Sequence, residues 1–186
     1  GVQSNELCGK TVGIIGIGNI GRTVVKMLHG FDVNIMYYDI YRLNEEREKA
    51  LDIVYAPLTE LLQKADIISL HCPLTPETKH IINADSISLM KKGAIIINTA
   101  RGGLIDETAL ISALESGHIK AAGLDVFEKE PPEKTNPLLS FNNVTVSPHV
   151  GGLTYEAFKS MMVEAMNNIK LFEEGKSELL ENKRIV

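Results

Sequence analysis

Short apolar runs alternate along this chain with longer amphipathic stretches, and few architectures accept that pattern. The runs are "TVGIIGIG" (11–18), "VNIMYYD" (33–39), "DIVYA" (52–56), "DIISLH" (66–71), "AIIINT" (94–99), "IKAAGLDVF" (119–127) and "NVTVSPH" (143–149). Each has the length and composition of a strand. Helical patterning falls between them, in "IGRTVVKMLHG" (20–30), "LTELLQKA" (58–65), a segment near 84–91 and "ETALISALES". Asp106 is the candidate N-cap of that last helix, and Gly117 stands just past its end. The charged "EEREKA" reads as a solvated helix face or a loop. From Leu153 a long amphipathic helix is expected to reach about Glu174, with Phe158, Met161, Met162, Ala165, Met166, Ile169 and Phe172 on its apolar face. That stripe is read first as core packing, with some of it free for self-association. Strands separated by crossover helices predict an α/β fold: a doubly wound, mostly parallel sheet with helices on both faces.

Composition narrows the function classes. The 186 residues carry a formal charge of −5, which argues against a broad nucleic-acid surface. No apolar run approaches the roughly 20 residues that span a bilayer, so no membrane role is expected. The start, "GVQSNELCGK", has neither the basic nor the apolar region of a signal peptide. Cys8 and Cys72 stand apart, without metal-binding or redox spacing, which predicts a reducing compartment and a cytoplasmic location. No metal-ligand cluster is visible.

In parallel sheets of this kind, ligands bind beyond the carboxyl ends of the strands. The first run ends in Gly16-Ile17-Gly18-Asn19-Ile20-Gly21, a GxGxxG between a strand and a helix. Two glycines let the backbone turn and approach a pyrophosphate, and the third permits close helix packing; the helix N-terminus supplies N–H groups. The second run ends in Asp39, whose carboxylate can accept from ribose hydroxyls and would repel a 2′-phosphate. Together they predict a Rossmann-type site for NAD rather than NADP. Arg42 is the one caution, and is read as a lone solvated side chain. Other strand ends carry His71-Cys72-Pro73, Thr99-Ala100-Arg101, Asp125 and Ser147-Pro148-His149, while Glu130 lies in the charged loop "FEKEPPEK". The sheet would bring Arg101, Asp125, Glu130 and His149 to one edge. His29, His71, His80 and His118 get a structural or solvated reading.

The segments "GKTVGIIGIGNIG", "HCPLTPETKHIIN", "MKKGAIIINTARGGLIDETAL", "GLDVFEKEPP" and "VTVSPHVGG" resemble the cofactor domain of the D-isomer-specific 2-hydroxyacid dehydrogenases, most of all the phosphoglycerate dehydrogenase branch. The resemblance runs from about Gly9 to about Gly175, within an expected 1–186 cofactor domain. It implies that Arg101 binds the substrate carboxylate and polarises the reacting carbonyl, with Gly102 and Gly103 giving backbone room for substrate and nicotinamide. His149 matches the acid/base histidine and Glu130 the carboxylate that fixes its tautomer. NAD would be held by N–H groups near Gly18, Asn19 and Ile20, with Asp39 on the ribose. Cys72, Pro73 and Thr78 would line the adenosine and phosphate side. Thr99, Ala100, Arg101 and Asp125 would contact the nicotinamide end, and Gly151 would lie near the carboxamide.

The family's substrate domain is not matched in this chain. The resemblance therefore implies NAD binding with little or no turnover of a small 2-hydroxy acid by these residues alone, and a homodimer in the full-length protein. An alternative is an NADH-sensing binding module similar to the C-terminal-binding-protein corepressors. A formate enzyme is disfavoured, because those usually carry glutamine where Glu130 stands.

Overall fold

The first apolar run forms a strand, β1 (Thr11–Ile15), that ends where Gly16 turns the chain with φ +98°. A computed structural model describes residues 5–176. The outer ends of the expected 1–186 domain, 1–4 and 177–186, lie outside the described residues. Two units are distinguished, 1–149 and 150–186.

The first unit is one parallel sheet in the order β3-β2-β1-β4-β5-β6-β7. Its further strands are β2 (Asn34–Tyr38), β3 (Val54–Tyr55), β4 (Ile67–Leu70), β5 (Ala94–Asn98), β6 (Ile119–Leu124) and β7 (Val144–Val146). Every strand is shorter than its apolar run. Most of the trimming is at the carboxyl end, because those residues leave the ladder to build the loops described below.

The helices are α1 (Asn19–Leu28), α2 (Glu45–Leu51), α3 (Leu58–Lys64), α4 (Ala84–Leu89) and α5 (Glu107–Glu115). Side chains alternate across the sheet with period two. Val12, Ile14, Ile35 and Tyr37 therefore face one core, covered by Val25 of α1 and flanked by Leu51 of α2. Ile15, Ile68, Leu70 and Ile96 face the other, covered by Leu61 and Leu62 of α3, Ile87 of α4 and Leu110 and Leu114 of α5. The doubly wound arrangement follows from this division.

"EEREKA" is a helix rather than a loop. Asn44 caps α2 by accepting from Arg47 N at 3.0 Å, and Glu45, Glu46 and Glu48 in the first turn suit the helix dipole. Arg42, read as a lone solvated residue, is engaged. It meets both carboxylate oxygens of Glu48 at 2.9 and 3.1 Å and lies 4.8 Å over the Tyr55 ring. Tyr37 Oη donates to Glu48 at 2.6 Å, and burial pushes its hydroxyl up to about 12.

The second unit contains α6 (Tyr155–Glu173), capped by Thr154, which accepts from Ala157 N at 3.0 Å. None of its residues is buried, so the Met-rich stripe expected as core packing is exposed along this helix.

Candidate active site

The order of the strands reverses between β1 and β4, where an α/β sheet opens a crevice at its carboxyl edge. The glycine turn sits there, and each glycine answers a different demand. A Cβ on Gly16 would lie 2.4 Å from Cys72 N, so the ends of β1 and β4 approach backbone to backbone. A Cβ on Gly21 would lie 2.1 Å from Gly16 O, which seats α1 directly on the turn. Gly18 has nothing within 4 Å of its missing Cβ. It faces open space at the start of a ten-residue helix, whose first N–H groups have no partner within the helix. Asn19 and Ile20 are exposed beside it.

Asp39 lies at the end of β2. Its Oδ2 accepts from Ile17 N at 2.8 Å and its Oδ1 from Tyr41 N at 3.0 Å. Those bonds fix the carboxylate against the glycine turn and leave acceptor capacity over, since the two oxygens offer about four sites.

Beyond β4, burial pushes the Cys72 thiol up to about 11 and holds the His71 imidazole below its ordinary value. A thiol so protonated is no nucleophile. Pro73 is exposed next to it. Thr78 Oγ1 is occupied within its own loop, donating to Pro73 O and accepting from Thr75 N, both at 2.7 Å.

The arginine turn after β5 is built by Asn98, which is 1% exposed. Its Oδ1 accepts from Ala100 N at 3.0 Å and its Nδ2 donates to Arg101 O at 2.8 Å. Thr99 and Arg101 are left at the surface, and the guanidinium bonds Ala100 O at 2.7 Å. Gly102 and Gly103 were expected to make room for ligand, but their neighbours are protein. A Cβ on Gly102 would lie 1.9 Å from Phe127 C and O, and one on Gly103 would lie 3.0 Å from the Leu74 side chain.

His149 and Glu130 meet. His149 Nδ1 lies 2.7 Å from Glu130 Oε2, and Glu130 Oε1 accepts from Phe127 N at 3.1 Å. The hydrogen bond from His149 holds the Glu130 carboxyl below its ordinary range against some desolvation, with a smaller pull from the Arg101 charge. His149 is held in the left-handed region, φ 56°, by its own N–H bonded to Asp125 O at 2.8 Å. Asp125 is buried, and its Oδ1 accepts from Ser147 Oγ at 2.5 Å. A cavity of about 490 Å³ opens beside the pair, walled in part by Asp125, Phe127, Pro131, Val146 and Pro148.

Gly151 lies in the second unit, inside the turn that Leu153 N closes on Val150 O at 2.9 Å. Among the described residues, no group of three or more His, Cys, Asp or Glu could hold a metal ion. Sequence reasoning assigned no task to Asn98 or Ser147. A polar residue closing an otherwise apolar strand is the signal that would have found Asn98.

The model of the D-isomer specific 2-hydroxyacid dehydrogenase NAD-binding domain matches residues 1–151. The chain belongs to this family. It is 51% identical over 177 residues to a D-3-phosphoglycerate dehydrogenase of Methanocaldococcus jannaschii, covering 95% of this chain and 33% of that one. It is 47% identical over 175 residues to a hydroxypyruvate reductase of Thermotoga maritima, covering 93% and 55%. The crystal structure of a glyoxylate reductase from Paecilomyes thermophila superposes with a TM-score of 0.86 at 40% identity, over 91% of this chain and 51% of that one. The chain thus spans from a third to about half of the length of such relatives. The fold expected from the alternating runs and the family expected from the motifs are both the ones found.

Proposed function

We propose that this chain is the cofactor-binding and acid–base half of an NAD-dependent dehydrogenase that interconverts a small 2-keto acid and its 2-hydroxy acid. The carrying observation is the Glu130–His149 pair at the carboxyl edge of the sheet, the edge at which Arg101, the glycine turn and Asp39 also stand.

The residues present fit a dinucleotide. The open face at Gly18 is the cradle for a pyrophosphate, with N–H groups of Gly18, Asn19 and Ile20 as donors. Asp39 would take the adenosine ribose hydroxyls. Arg42, committed to Glu48, is not offered to a 2′-phosphate, which supports NAD over NADP. Cys72, Pro73 and Thr78 would border the adenosine and phosphate side, through surface rather than the Thr78 hydroxyl. Thr99, Ala100, Arg101 and Asp125 would border the nicotinamide. The chemistry bound NADH supplies is a hydride to C2 of the keto acid.

The chain's own residues do the rest. Arg101 pairs with the substrate carboxylate through a planar fork of donors. Glu130 accepts a hydrogen bond from Nδ1–H of His149, which directs Nε2 to the substrate oxygen. Protonated His149 gives its Nε2 proton to the carbonyl oxygen as the C–O double bond opens; in the reverse direction the neutral Nε2 takes it from the hydroxyl. Glyoxylate, hydroxypyruvate and 3-phosphoglycerate are the candidates that relatives' names supply.

We place the protein in the cytoplasm, in keeping with two free cysteines, and without a nucleic-acid partner, in keeping with its net charge of −5. No helix among the described residues is long and apolar enough to cross a membrane. Residues 9–175 would form the cofactor domain, and the remaining substrate contacts would come from a substrate domain such as the family carries. We propose self-association through α6, supported by the exposure of Phe158, Met161, Met162, Met166, Ile169 and Phe172. Sedimentation should then show a dimer that dissociates on dilution; a monomer at every concentration refutes it.

Calorimetry with NADH and NADPH tests the cofactor, and turnover of the three acids tests the reaction. Binding of NADH in preference to NADPH is expected, with turnover weak in these 186 residues alone. Failure to bind NADH at millimolar concentration would overturn the proposal.

A further inference from the structure

We propose that Glu107 is a positioning residue for the acid–base pair, its carboxylate tying the loop that carries Glu130 to the helix that follows the Arg101 turn. Glu107 is the first residue of α5. A carboxylate there ordinarily serves its own helix. In this chain Asp106 does so, accepting from Thr108 N at 3.0 Å and Ala109 N at 3.2 Å. Glu107 turns outward from the helix. Its Oε1 accepts from Glu128 N at 2.7 Å and its Oε2 from Asn136 Nδ2 at 2.9 Å. Both oxygens are thus committed to the segment that contains Glu130.

Two further contacts converge on the same place. The backbone of Gly102 lies directly against that of Phe127 and Glu128. The Glu128 side chain pairs with His80, whose N–H donates to Gly103 O at 2.9 Å. Three elements therefore grip Glu128, two residues before Glu130. Glu130 is in turn braced on Phe127 N, the residue next to the grip. The position of its Oε2, and so of His149, is inherited from this clasp. Gly102 sets the approach of the loops, and the His80 pair is partly exposed. Glu107 alone supplies two charge-assisted bonds from one group to two points of the loop.

The inference rests on Glu130 acting as partner to His149, but its test needs no turnover. Glu107→Ala and Glu107→Gln are made in the 186-residue chain, and the titration of the Glu130 Cδ carbon is followed by NMR alongside the melting temperature. In the unaltered chain the bond from His149 holds Glu130 low. Glu107→Ala is expected to raise the Glu130 midpoint toward the ordinary glutamate value. Glu107→Gln is expected to restore it, since its amide oxygen can accept from Glu128 N and its NH₂ can donate to a turned Asn136 amide. A Glu107→Ala protein that melts lower with Glu130 titrating unchanged would overturn the proposal. Should that variant not fold, Asn136→Ala, which removes one tie from the loop side, is read the same way: a raised midpoint supports the role, and an unchanged one overturns it. Absence of NADH binding in the unaltered chain would count against the proposed function alone.

Discussion

Gly16, Gly18 and Gly21 stand in one turn, yet substitution should separate them. Alanine at Gly16 meets both a left-handed backbone and the Cys72 amide, so a loss of at least about 2 kcal/mol is expected in urea unfolding. Alanine at Gly18 meets nothing; it should cost about 1 kcal/mol or less, but weaken NADH binding about tenfold by crowding the phosphate approach. Equal losses of stability at the two positions would contradict this division. His149 offers a similar separation. Asparagine tolerates the left-handed backbone that His149 adopts, so His149→Asn should keep the fold. The proposed turnover, measured in steady state, should still fall by roughly 10²–10⁴.

At the scale of elements, caps and turns carry the site. Asp106 was legible as an N-cap because a short acceptor before an amphipathic run has one good use, and it caps α5. Asp106→Ala should cost about 1 kcal/mol in urea unfolding, and an effect near zero would deny the cap. The strands were legible in number but not in extent or in their order across the sheet. A run such as 143–149 is apolar enough to continue, but Val146 is the last residue in register with β6, and the chain then turns to deliver His149. Arg42 is exposed as expected but not alone, because its partner Glu48 belongs to the next helix, and only folding brings a guanidinium, a carboxylate and the Tyr55 ring together. The stripe on α6 shows the converse. Helical spacing was right, but spacing does not say what covers the face.

For the whole molecule, acid is the informative perturbation. Asp66 loses water on folding, but the Lys91 ammonium at 2.8 Å and Thr11 N at 2.8 Å outweigh that and hold its carboxyl low. Glu48 is held low by Arg42 and Tyr37, and Glu130 by His149. Each group sits below its unfolded value. The stability it contributes is therefore full above about pH 5 and is lost as pH falls further, through the folded value. Melting temperature should decline gently below about pH 6.5, where the unfolded His71 imidazole takes up a proton that burial denies the folded one, and then drop more steeply as these carboxylates protonate. Asp66→Asn should soften the drop, while a fall beginning above pH 5 would not come from these groups. The sequence by itself determined the parallel sheet, the glycine turn and the family, because periodicity, local turn chemistry and short motifs are written in neighbouring positions. Only the tertiary structure decided that Asn98 builds the arginine turn, that Gly102 yields its space to Phe127 and Glu128, and that Glu107 reaches the loop of Glu130. Those contacts join residues on different loops and strand ends, and their distances are set by the packing of the sheet rather than by any local pattern.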